Sequence, residues 1–210
     1  MKGVIPKLIS IVSILVGLMV IVGWYLDITV LTSISPEWIR MKFATAVCFV
    51  LSGIIVYVLS MEKDKSEMLK MALLSICPML LVLIMGTLFL GSIFGFQTGM
   101  ENIAFVDRHE VATPIFQGRP ALPTMINFML IALIGFLYSF RFAQRKALLA
   151  VGLIVGIIGA VGLIGYITNI PALMYEIKGI SNAIAIHTTT LFALLGVALV
   201  FIGKNKESNN

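Results

Sequence analysis

Six long runs without Asp, Glu, Lys or Arg divide the chain. They are Leu8 to Leu26, Phe43 to Met61, Met71 to Met100, Ala121 to Phe140, Ala147 to Tyr175, and Gly179 to Gly203, the last interrupted only by His187. A helix rises 1.5 Å per residue, so about 20 apolar residues cross the hydrocarbon of a bilayer. The pattern predicts an all-α integral membrane protein with six transmembrane helices. The third run exceeds one span, so its core is placed at Met71 to Phe89, kinked at Pro78, with Gly91, Gly95 and Gly99 fraying outward. Asn169 and Pro171 should end the fifth helix.

Within these runs one frame recurs. Thr45, Thr124 and Thr188 each stand four residues before a phenylalanine: Phe49, Phe128 and Phe192. Four residues further on stand Gly53, Ala132 and Gly196. Positions four apart share a helix face, and a small residue there lets a neighbouring helix approach closely. Each frame opens the second helix of a pair. The first helices of the pairs end in related phrases beginning at Gly23, Gly91 and Gly165. The chain therefore divides into three repeat units, about 7–61, 69–141 and 147–203, within a single polytopic domain, residues 1–210. Three parallel helical hairpins imply a pseudo-symmetry axis along the membrane normal. Ser35-Pro36-Glu37 and Thr113-Pro114 carry helix-start signals, which predict short helices in the outer loops.

Composition agrees with this reading and adds an orientation. The chain is 60% hydrophobic with mean hydropathy +1.06, which fits an integral membrane protein. Of its 15 Lys and Arg residues, ten fall at the termini and even loops and five in the odd loops. The excess of positive charge puts both termini in the cytoplasm of a multi-pass cell-membrane protein. The net charge of +5 reports topology, and nucleic acid is not an expected partner. Cys48 and Cys77 lie inside apolar runs and read as small core residues.

No hydrolase, kinase, nucleotide-binding or zinc motif is present, so neither enzymatic activity nor a cofactor or metal is expected. Gly152, Gly156 and Gly159 have small-residue packing spacing. The candidate ligand-binding residues cluster at the outer ends of the fourth and sixth helices: Arg119, Thr124, Asn127, Glu176, His187 and Thr188. His187 is either an interfacial cap or a ligand or proton sensor. Arg119 either snorkels to headgroups or binds an anion or a loop carboxylate such as Glu110 or Glu176. Thr124, Asn127 and Thr188 either bond neighbouring helices or floor an outward-facing pocket.

Gly118-Arg119-Pro120-Ala121-Leu122-Pro123-Thr124-Met125-Ile126-Asn127-Phe128, with the later Gly165-Tyr166 and His187-Thr188 phrases, resembles the membrane-integral N-terminal sensor regions of bacterial and archaeal histidine kinases and diguanylate cyclases. The likeness covers the fourth to sixth helices directly and the first three through the repeat. It departs at Leu122, where those regions usually have proline, and no kinase or cyclase module follows. The resemblance implies a stand-alone sensory module that recognises a small or lipidic signal at its extracytoplasmic face. A membrane or cytoplasmic signalling protein would be its partner. A different class of function is a structural or accessory subunit of a larger membrane complex. A third is a small transporter, which the lack of an acid or base midway through any span disfavours.

Overall fold

The computed structural model of the chain describes residues 3–35, 38–61, 67–101, 118–140, 142, 145–176 and 181–205. The described residues are predominantly helical: α1 (Val4–Tyr25), α2 (Thr29–Thr32), α3 (Phe43–Leu59), α4 (Glu67–Leu81), a π-helical turn (Val82–Gly86), α5 (Thr87–Phe94), α6 (Leu122–Ser139), α7 (Arg145–Thr168) and α8 (Ile186–Asn205). Five helical stretches are long and apolar enough to cross a membrane: Val4–Tyr25, Glu67–Phe94, Leu122–Ser139, Arg145–Thr168 and Ile186–Asn205. The second apolar run folds as α3, which is apolar but only 17 residues long.

The third run differs from its expected core. Helix continues through Pro78 to Phe94, five residues past Phe89. A widened π-helical turn follows at Val82–Gly86, whereas the group that Pro78 leaves without its helical donor is the Leu74 carbonyl, one turn before the proline. The stop is Gly95, at φ 71°, a left-handed conformation that glycine adopts without a Cβ penalty. The sixth run also differs. Helix begins at Ile186, and residues 181–185 are not helical. Their backbone is bonded elsewhere: Ile184 N–H donates to the Met174 carbonyl at 2.9 Å, and Tyr166 Oη–H donates to the Ile184 carbonyl at 2.9 Å. The fifth helix ends as expected, with Asn169 at φ 55° just past Thr168.

All three first helices close the same way. Ile28, Phe96 and Ile170 donate their N–H groups to the carbonyls of Gly23, Gly91 and Gly165, at 2.9, 3.1 and 3.0 Å. The residue before each donor, Asp27, Gly95 or Asn169, has positive φ. This is the Schellman closure, in which orphan carbonyls of the last turn are satisfied by the chain that follows. Side chains at Gly23, Gly91 and Gly165 would strike residues 31, 98 and 173–174, so the glycines also admit the returning loop.

The helices form two shells. α3 packs on α6 and α8 inside, α6 meets α8 through Phe128 and Phe192, and α1, α4–α5 and α7 flank them. α1 packs on α3 and α8, α4 on α6 and α3, and α7 on α8 and α6. The helix starts expected at Ser35-Pro36-Glu37 and Thr113-Pro114 fall mostly outside the described residues, and α2 is a single turn that precedes the first of them. The loop aromatics brace this end. Trp24 Nε1–H donates to the Met41 carbonyl at 2.9 Å, and Trp38 meets the Tyr166 ring edge-on at a centroid distance of 5.3 Å.

Candidate functional site

The site begins at the centre of the inner shell. Phe49, Phe128 and Phe192 are wholly buried and form a triangle, with centroid separations of 4.8, 4.9 and 4.9 Å. Such tilted contacts place ring edges against ring faces, which suits the aromatic quadrupole. One turn earlier on the three helices stand Thr45, Thr124 and Thr188, each 2% exposed. These threonines line a narrow cleft with residues 39–42, 119–121 and 183–185, and it has room for about one water molecule. Lys42, Ala121 and Ala185, which precede α3, α6 and α8, are all in the lining. None of the three threonine hydroxyls has a hydrogen-bond partner among the described residues.

Arg119 reaches this end of the molecule from the segment before α6, and its side chain turns away from open water. Nε–H donates to Glu101 Oε1 at 3.0 Å, NH2 to the same oxygen at 2.7 Å, and NH1 to the Gly91 carbonyl at 2.9 Å. NH2 also donates to the Phe96 carbonyl. The side chains of Arg119 and Glu101 are 1% and 5% exposed. Arg119 thus closes the C-terminus of α5, where a cation meets the negative end of the helix dipole. Neither headgroup snorkelling nor pairing with Glu176 describes it. Its carboxylate partner is Glu101, Glu176 is exposed, and Glu110 lies outside the described residues.

Burial raises the Glu101 pKa, but it is outweighed by hydrogen bonds from the Thr98 backbone, its own backbone, the Arg119 guanidinium and the Thr98 hydroxyl. The net effect holds the carboxyl below its ordinary value of 4.5. A carboxylate with a depressed folded-state pKa contributes stability that is present above the unfolded value and lost as pH falls through the folded value. The melting temperature of the parent protein should therefore fall as pH drops below 4.5, and Glu101→Gln should flatten that acid limb. Parallel acid melting curves with equal slopes would count against the assignment.

Among the other predicted residues, Thr124 and Thr188 meet in the cleft, and Asn127 does not line it. Asn127 is wholly buried, and neither its Oδ1 nor its Nδ2 has a protein hydrogen-bond partner. His187 is half-buried in the first turn of α8, and its Nδ1 is likewise unpartnered. The packing positions behave as small residues should. A Cβ at Gly53 would lie 2.6 Å from Ile14 Cγ1 on α1, and one at Gly196 would collide with the backbone of Gly156 on α7. Ala132 is wholly buried. Cβ atoms at Gly152 and Gly159 would also meet α8 backbone. Among the described residues no group of three His, Cys, Asp or Glu side chains stands together as a metal site.

Sequence reasoning missed Glu101, and it took Arg40 and Lys42 only as charges that report topology. A signal for Arg40 was present. It precedes Thr45 by five residues, as Arg119 precedes Thr124. Arg40 lines the cleft, is half-buried, and has no carboxylate partner among the described residues. No family model matches the chain, and comparison with curated proteins and with solved structures gives no match either.

Proposed function

We propose that the chain is a six-span membrane protein, with both termini in the cytoplasm, that senses a small or lipidic signal at its outer face. It passes the signal to a protein partner by helix movement. The three hairpins act as parallel repeats around the axis that the phenylalanine triangle marks. The observation that carries this reading is the cleft between equivalent positions of α3, α6 and α8, one helical turn from that triangle. A ligand engaging Thr45, Thr124 and Thr188 touches all three inner helices at once. The rings one turn further along those helices transmit any change in their spacing, because close-packed side chains do not deform independently.

Six spans include α3, whose polar flanks Lys42 and Glu62 bracket its apolar stretch. The ten-to-five distribution of Lys and Arg supports the orientation. In a Cys-free background, single cysteines at Gln117 and Ser208 should react with impermeant reagents from outside and inside respectively. The opposite pattern removes the orientation.

The functional reading is tested by purification in mild detergent and native mass spectrometry. The expected result is a bound small molecule or lipid that the parent retains and Thr188→Val loses. Stable co-purification of a membrane protein with no bound small molecule would favour the accessory-subunit reading instead.

A further inference from the structure

We propose that the cleft holds a terminal oxygen of a phosphate group, an inference that rests on the ligand-sensing reading above. Three independent features of the lining converge on an anion. The first is the trio of hydroxyls. Thr45, Thr124 and Thr188 are nine-tenths buried and line a common cleft, yet they donate to no described group. Their oxygens are not among the fully buried atoms that lack a partner, so they keep access to the cleft and can donate to whatever occupies it.

The second feature is the backbone. α3, α6 and α8 all begin at the cleft, and neither Lys42 nor Ala121 caps its helix through a side-chain hydrogen bond. Three helix N-termini bring their positive dipole ends and N–H groups to the same place. On α6 the Leu122 N–H is taken by Ser181 Oγ at 3.2 Å, Pro123 has no N–H, and the Thr124 N–H donates to the Ala121 carbonyl, so α6 contributes its dipole and not a donor.

The third feature is side-chain charge. Arg40, Lys42 and Arg119 line the cleft, and no Asp or Glu does. Glu101 neutralises Arg119 from outside the lining, while Arg40 meets no carboxylate among the described residues.

Size and symmetry select the class of anion. Room for about one water is room for one oxygen atom. Three hydroxyls from three helices match the lone pairs of a single terminal phosphate oxygen. The remaining phosphate oxygens then face the open mouth, within the field of Arg40 and Lys42, where charge-assisted hydrogen bonds are strong. A planar carboxylate lacks this threefold form, and a neutral alcohol gains nothing from the cations or the dipoles. Free phosphate and a phospholipid headgroup present the same chemistry.

The full-length protein, delipidated in a phosphate-free sugar detergent, distinguishes the sources. One arm titrates inorganic phosphate. A second adds phosphatidylglycerol to the same micelles, and a third adds diacylglycerol as a neutral control. Binding is read by melting temperature and by native mass spectrometry. Phosphate or phosphatidylglycerol is expected to bind, and the triple variant Thr45→Val, Thr124→Val, Thr188→Val to weaken that binding at least tenfold. Arg40→Gln is expected to weaken it severalfold. Arg40 is only half-buried, so this variant tests the site even if the triple variant does not fold. Binding that both variants leave unchanged overturns the inference. Failure of both phosphate arms, with diacylglycerol bound and lost on Thr188→Val, overturns the phosphate assignment and leaves the ligand-sensing reading intact. Failure of every arm, with no co-purifying molecule, removes both.

Discussion

Gly196→Leu forces α8 away from α7 and lowers stability by at least about 3 kcal/mol, at the upper end of the usual cost of overpacking. A Cβ at Gly196 would already collide with Gly156 Cα and N, and it would lie 2.6 Å from the Gly152 carbonyl oxygen. Backbone atoms cannot rotate aside as a flexible side chain does, so the helices themselves must separate. That separation also opens the reciprocal contacts of Gly152 and Gly159 with α8. Even Gly196→Ala should cost about 1–3 kcal/mol. Gly86→Ala is the matched control, since its new Cβ would meet only Val82 Cγ1, at 3.7 Å. Melting curves in detergent should therefore rank parent and Gly86→Ala together, Gly196→Ala lower, and Gly196→Leu lowest. A Gly196→Leu protein that melts with the parent would show that α7 and α8 are not in backbone contact.

The second large effect is at Arg119. Removing one member of a buried ion pair leaves the other charge desolvated and unpaired, which typically costs about 3–5 kcal/mol. Arg119→Ala also strips hydrogen bonds from the Gly91 and Phe96 carbonyls at the end of α5. Loss of ligand in this variant would therefore report a damaged fold, and it says nothing about direct binding. Arg119→Lys should recover only part of the loss, because an ammonium cannot reproduce the planar fork that reaches Glu101 and two carbonyls together. Arg119→Met with Glu101→Met should be milder than Arg119→Ala alone, since replacing a buried pair with apolar groups is often close to neutral. Melting of the three variants decides the matter. A double variant less stable than Arg119→Ala would mean that the pair stabilises by more than mutual neutralisation.

Much of the architecture was legible because a bilayer reduces the code to few rules. Uncharged runs of sufficient length must be helical, since lipid leaves backbone groups no other partner. The phrases at Gly23, Gly91 and Gly165 were visible as repeats, and each folds into the same left-handed closure. Glycine spacing on α7 likewise marked a close helix contact, and the structure makes α8 the partner. The non-helical course of residues 181–185 was hidden, because apolarity alone does not distinguish a helix from a segment whose backbone is bonded by Tyr166 and Met174.

The candidate site divides along the same line. Residue type and spacing, read from the sequence alone, determined an apolar helical chain, the Thr-to-Phe frame, and the positions that must stay small. These are local properties, set by a helix period of 3.6 residues and by what a bilayer admits. Only the tertiary structure decided that the three frame phenylalanines meet at one point, and that Thr45 and Arg40 of the first hairpin complete a cleft begun by Thr124 and Thr188. It also decided that Arg119 is consumed by Glu101, 18 residues away. Which carboxylate an arginine finds, and which hydroxyls remain without a partner, depends on how separate helices dock, and that docking is written in no single stretch of the chain.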